Sequence, residues 1–235
     1  MTRQTVLRIS NLRKNYQSLR PLRMQDLTIA AGERVAIGGL DAGAAEVLVN
    51  LVTGASVPDE GEVAVLGHST RAIADGDEWL ASLDRFGIVS PRAVLLDGSS
   101  LLQNLAMPFT LQIDPPSPET AARARALGLE VGIDAQWMDR QIAALPADVR
   151  IRAHLARAIA LDPALLILEH PTASLDRSDQ PRLAADVARV TAARDLATLI
   201  ISEDADFSRA AAQRSLWLQG ASGELRPRKR GFFGF

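Results

Sequence analysis

The chain has 235 residues, a formal net charge of −2, 47% hydrophobic residues and 23% charged ones. That balance describes an ordinary globular protein of one large domain, or one domain carrying an insert, and the near-neutral charge gives no global reason to expect nucleic acid as a partner. With no cysteine, disulfides and thiolate metal sites are excluded, and the three histidines, His68, His154 and His170, are too dispersed to make a metal-ligand pattern.

The N-terminal "MTRQTVLRIS" lacks the apolar core of a signal peptide, and no apolar run approaches the ~18 residues of a membrane span. The expectation is a soluble chain that meets membranes only through a partner or a surface contact. "VLRIS" reads as a strand, and "RMQDLTIAAGERVAIGG" as two strands separated by the turn Ala31-Gly32-Glu33. "VAIGGLDAGAAEVLVNLVTG" then reads as a strand, a glycine-bounded loop and a helix whose apolar spacing is clear from Glu46 to Val52. After the turn-rich "PDEG", "GEVAVLGH" returns to strand, and "FGIVS" (Phe86 to Ser90) is another. The runs "ALLILE" (164–169) and "ATLIIS" (197–202) are apolar on both faces, as buried strands of a parallel sheet must be. "RSLWLQG" and "GELRP" predict a terminal hairpin. Residues 98–161, rich in alanine, arginine and leucine and broken by "DPPSP", read as a helical insert on an α/β core formed by 1–97 and 162–226.

In this order, the elements resemble the ATP-binding subunits of ABC transporters along nearly the whole chain to about Arg226. "NLRKNY" followed by "MQDLTIAAGERVAIGG" is similar to the opening strands of that family, with Tyr16 at the aromatic that stacks on adenine. "LVTGASVPDEGEVAVLGH" resembles the stretch after the phosphate loop, and "RAHLARAIALDPALLILEHPTASLD" the helix, strand and D-loop passage, with Ala173 to Asp176 as the D-loop. The resemblance implies a P-loop NTPase-like α/β core with a parallel or mixed sheet, a helical insert and an N-terminal antiparallel region. It also implies membrane-spanning partner subunits, homo- or heterodimerisation with another ABC subunit, and a place at the cytoplasmic face of a membrane. "NLAMPF" is loosely similar to subunits of lipid and lipoprotein export systems.

The chemistry of such a site needs particular residues. In G-x-x-x-x-G-K-[ST], backbone N–H groups cradle phosphate, the lysine reaches the β/γ oxygens and the hydroxyl holds Mg²⁺. Gly38 and Gly43 keep the spacing, but Ala44 stands at the lysine and Ala45 at the hydroxyl, and Asp41 adds a negative charge expected to face the phosphates. Pro91 falls at the Q-loop glutamine. "LPADV" (145–149) replaces the signature L-S-G-G-Q, so that Pro146 removes a donor and Asp148 opposes phosphate. Glu169 stands at the metal-linked acid, His170 at the catalytic base and Glu203 at the switch histidine.

These replacements predict a degenerate, non-hydrolysing subunit acting as a structural or regulatory component of a membrane transporter, with no ATP or Mg²⁺ assigned as cofactor. The alternatives are an active ATPase remodelled around Glu169 and His170, and a regulator binding another ligand in the old nucleotide cleft. His170 is read as a satisfied strand-end histidine, and His68 as solvated. His154 is placed on a helix surface, off the apolar stripe Ile151, Leu155, Ala158 and Ile159. In the tail "RPRKRGFFGF", Arg226, Arg228, Lys229 and Arg230 beside Phe232, Phe233 and Phe235 suit an anionic membrane surface or a partner groove better than a frayed end.

Overall fold

Alternation of apolar and polar residues sets the first sheet. The computed structural model describes residues 3–73 and 75–228. Strand β1 (Thr5–Lys14) pairs antiparallel with β2 (Leu22–Ala30) and with β4 (Glu60–Val65), and β5 (His68–Ser69) completes a sheet of order β2-β1-β4-β5. Leu22, Met24, Leu27 and Ile29 of β2 point inward while the residues between them face water.

The second sheet has the order β10-β9-β3-β8-β7-β6. Its strands are β3 (Arg34–Gly38), β6 (Phe86–Val89), β7 (Leu165–Glu169), β8 (Ala197–Ile201), β9 (Arg214–Gln219) and β10 (Glu224–Pro227). All pairs are parallel except the terminal hairpin β9-β10. Every residue of β7 and β8 is buried, as continuous apolar runs require. Period-2 geometry divides them between two cores. Leu166, Leu168 and Ile200 pack with the helices of the second half, while Leu165, Ile167, Leu199 and Ile201 pack under the first sheet. Each such side chain contributes about 1.5–3 kcal/mol by leaving water.

The helices are α1 (Ala42–Val52), α2 (Gly76–Ser82), α3 (Leu101–Ala106), α4 (Pro118–Glu130), α5 (Ala147–Ile159), α6 (Gln180–Ala193) and α7 (Ala205–Ala211). No helix among the described residues is long and apolar enough to cross a membrane. Helix α1 begins before the Glu46 expected from spacing because Asp41 caps it, and α3 starts on a capping box of Ser100 and Gln103.

Helix α5 differs from its sequence reading. Its buried face is Val149, Arg152, Ala153, Leu155, Ala156 and Ile159, with Ile151 and Ala158 only half-buried. The apolar pattern misleads because an arginine is in the interior, made tolerable by two carboxylates. The face that carries His154 is correspondingly half-buried rather than a free surface.

Candidate functional site

Parallel strands in register bring their C-terminal ends to one edge, which is where α/β sheets bind ligands. Ile37 and Glu169 both pair with Ile201, and Val89 with Leu168. The loops after β3, β6, β7 and β8 therefore meet, and they carry Gly38 to Ala45, Pro91, Glu169-His170 and Glu203.

The loop after β3 turns through Gly39 at φ +85°, where a Cβ would fall 2.7 Å from the Leu218 carbonyl oxygen, so only glycine fits. A Cβ on Gly38 would strike Trp217 and Arg228, whereas one on Gly43 meets ordinary contacts with Asp41 and the Tyr16 ring. Tyr16 lies beside the loop and packs against the core under the first sheet. Ala44 and Ala45 are 7% and 0% exposed, so the positions of the lysine and the hydroxyl are methyl groups in that core.

Carboxylates take three of the backbone donors of this loop. Asp41 was expected to face the phosphate region, yet its Oδ1 accepts the Ala44 N–H at 2.8 Å as the α1 N-cap. An acid is favoured there by the positive end of the helix dipole and by an otherwise orphaned donor. Glu203 reaches across from the end of β8, and its Oε1 accepts the N–H groups of Gly39 at 2.7 Å and Leu40 at 3.1 Å.

The acid after β7 is likewise engaged. The Glu169 side chain is 1% exposed, and its two oxygens accept from Nη1 and Nη2 of Arg92, each at 2.7 Å. Arg92 Nη1 also lies 3.7 Å from Glu46 at the start of α1. Sequence reasoning stopped at the exposed Pro91 and missed its neighbour, because nothing local marks which acid a loop arginine will meet. A bidentate planar fork on a buried carboxylate is among the strong forms of charge-assisted hydrogen bonding.

A Mg²⁺-nucleotide does not fit these residues. The metal-linked acid is held by a guanidinium, the Gly39, Leu40 and Ala44 amides are taken by Glu203 and Asp41, and alanines stand at the lysine and hydroxyl positions.

His170 has φ +44° and donates its N–H to Ile201 O at 2.8 Å. Its Nε2 is buried without a partner among the described residues, so the ring is not the satisfied group expected. It lines a cleft of about 460 Å³ with Glu169, His154, Arg150, Ser90 and Asp97. Burial first, then the Arg157 and Arg150 cations, holds the His154 imidazole below the usual histidine range. The unfolded chain binds the extra proton, so this stability is complete above about pH 6.5 and is lost as pH falls below it. His154→Gln is expected to flatten the decline in denaturant midpoint between about pH 7 and pH 5, and parallel profiles for parent and variant would count against this. His68 is exposed, as expected.

Residues 22–173 match the model of the family described as ABC transporter. The chain belongs to the ABC transporter family. The lipoprotein-releasing system ATP-binding protein LolD of Chromohalobacter salexigens is 30% identical over 192 residues, covering 82% of this chain and 80% of that protein. LolD of Bordetella avium is 31% identical over 230 residues, covering 95% and 97%. Among solved structures, the dimeric bacterial ABC transporter cassette MJ0796 aligns with a TM-score of 0.78 at 22% identity, over 96% of this chain and 100% of that one. CbiO1 of Clostridium perfringens, part of the ABC transporter complex cbiONQ, gives 0.80 at 20% identity, over 95% and 87%. At such identities the likeness speaks for the fold, which is the expected α/β ABC ATPase type: an antiparallel N-terminal sheet beside a mixed, largely parallel one.

At the ABC signature position, Leu145 and Val149 are buried and Pro146 opens α5 without a side-chain cap. Asp148 was expected to oppose phosphate. Its Oδ2 instead accepts from Nη1 of Arg152 at 3.2 Å, so its charge is balanced within the chain. Arg152, 1% exposed, also donates to Asp186 at 3.1 Å. The D-loop stretch Ala173 to Asp176 runs as turns, with Ala173 N–H on the His170 carbonyl.

Two of the tail's cations are committed elsewhere. Arg226 pairs with Glu224 at 2.7 Å. Arg228 stacks over Trp217 and donates to the carbonyls of Ser202, at 3.1 Å, and Glu203. That corrects the reading of these two as part of a free basic patch, because the Glu224 carboxylate holds Arg226 while backbone acceptors and an indole face hold Arg228. Lys229, Arg230, Phe232, Phe233 and Phe235 lie outside the described residues.

Proposed function

We propose that this chain is a non-hydrolysing ABC-type subunit that serves as a structural or regulatory component of a membrane transporter complex at the cytoplasmic face of the membrane. The observation that carries this reading is Glu169, the acid at the metal-linked position, clamped by Arg92. An acid so paired is not available to order a metal-bound water, and removing even one transition-state contact in such sites costs several kcal/mol. Ala44 and Ala45 remove the cation and hydroxyl that would compensate. Because the signature segment is altered in the same chain, a head-to-tail dimer would lack one half of every composite site it joins.

Relatives named as lipoprotein-releasing ATP-binding proteins support a membrane complex as the setting. In this reading residues 98–161 form the helical insert on the core of 1–97 and 162–226. The groove between them, lined by Leu83, Phe86, Ile88, Met107, Pro108 and Leu161, receives the membrane-spanning partner.

Calorimetric titration of the purified chain with Mg-ATP is expected to give no heat, alone or with a candidate membrane partner. Phosphate release by the parent and by His170→Ala is expected to stay at the buffer baseline. Saturable turnover by the parent that disappears in His170→Ala would overturn the reading in favour of a remodelled ATPase.

A further inference from the structure

We infer that the chain supplies its own occupant for the anion subsite of the phosphate loop: the Glu203 carboxylate sits on the Gly39 and Leu40 amides, and Arg228 positions it. The inference rests on the non-hydrolysing reading and explains how the loop keeps its shape without nucleotide phosphate.

A loop of this kind gathers N–H groups around a concavity at a helix N-terminus, and the concavity favours negative charge. The first donors of this concavity are the Gly39 and Leu40 N–H groups at the exit of β3, and each needs an acceptor from the protein or from water. Glu203 answers this with one oxygen shared between two N–H groups, at 2.7 and 3.1 Å. Asp41 serves the Ala44 N–H at 2.8 Å. The two acids come from opposite ends of the chain's core, yet they serve one loop.

The segment that carries Glu203 is itself held from both sides. The Ser202 N–H bonds to the Ile37 carbonyl at 3.0 Å, tying the segment to β3. Asp204 caps α7, accepting from Asp206 and Phe207 N–H. Arg228 closes the arrangement from beyond β10. Its guanidinium bridges the carbonyls of Ser202 and Glu203, approaches the Ser208 hydroxyl at 3.5 Å and stacks over Trp217. The donors of Arg228 therefore fix the backbone from which Glu203 reaches. Arg228 touches no loop amide, and its role is positioning.

The consequence is a loop closed around an internal anion, in which added phosphate must displace a tethered carboxylate. The tether gives Glu203 a high effective concentration that free anions do not match.

Thermal unfolding in sodium phosphate, against sodium chloride of equal ionic strength, tests this without nucleotide. The parent is expected to show only the small general stabilisation that phosphate gives any folded chain. Glu203→Ala in chloride is expected to melt about 5 °C lower, and phosphate is expected to restore most of the difference. Arg228→Ala is expected to respond to phosphate less than Glu203→Ala but more than the parent, and to cost little when added to Glu203→Ala. A Glu203→Ala protein whose phosphate response equals the parent's overturns the latch. An Arg228→Ala protein with the parent's response overturns the positioning role.

If Glu203→Ala does not fold, Glu203→Gln carries the test. Its uncharged acceptor lets phosphate compete, and a response equal to the parent's again overturns the proposal. ATP turnover by the parent bears on the non-hydrolysing reading alone, whereas phosphate rescue in the variants bears on the latch.

Discussion

Arg92→Ala is expected to lower the stability of the fold by about 3 kcal/mol, because it leaves the Glu169 carboxylate buried and unpaired. The two oxygens of Glu169 have no partner but Arg92 among the described residues, and its side chain is 1% exposed. Arg92 itself is 41% exposed, so its truncation removes little buried surface of its own. The cost is therefore the desolvation of Glu169, and not the Coulomb energy of a surface bridge. Arg92→Lys is expected to recover only part, since an ammonium makes one contact where the guanidinium fork makes two. In a chain of this length about 3 kcal/mol corresponds to a fall in Tm of roughly 6–12 °C, measurable by calorimetry. A change of less than about 1 kcal/mol would mean that water reaches Glu169 and that the clamp is a surface feature.

Arg152→Ala is expected to be at least as damaging, at about 3–5 kcal/mol in denaturant unfolding. The guanidinium is 1% exposed and meets Asp186 through Nε and Nη2, and the Asp148 carbonyl and carboxylate through Nη1. Truncation opens a cavity inside α5's buried face and leaves two carboxylates facing each other with less compensation. Arg189 holds the other Asp186 oxygen at 2.9 Å, which keeps the loss below that of a fully isolated acid. Arg152→Met separates the two parts. It refills most of the volume without the charge, so its stability is expected to fall between parent and alanine variant. Equal losses for Met and Ala would assign the whole effect to the ion pairs.

Both residues escaped a sequence reading that placed most of the architecture, and the reason is the range over which each signal acts. The strands β7 and β8 were legible because a continuous apolar run can be satisfied only by burial on both faces. The loop of Gly38 to Ala45 was legible as strand, glycine frame and helix, and Asp41 as an acid at its heart. Local spacing also carried the terminal hairpin and the helical character of residues 98–161. It failed at α5, where the apolar stripe left Arg152 out of the buried face and set His154 on the helix surface. Hydrophobic periodicity has no means of scoring an arginine that is buried because acids 34 residues away and one turn away receive it.

The functional site divides in the same way. From the sequence alone came the losses: no lysine, no hydroxyl, no glutamine, no signature, and substitutions at the acid, base and switch positions. A missing side chain needs no partner to be recognised, so the absence of the family's phosphate, metal and water ligands from these positions is a one-dimensional fact. What replaced them is not. Arg92 and Glu169 are 77 residues apart, and Glu203 lies 164 and 163 residues from the amides it serves. Only the parallel register that brings the ends of β3, β6, β7 and β8 to one edge makes these groups neighbours. The chain's sequence determined that alanines stand at the lysine and hydroxyl positions of "GGLDAGAAE". The tertiary structure decided that the vacated charges are answered from within, because ion pairs and backbone-donor contacts at such separations exist only once the sheet has set its register.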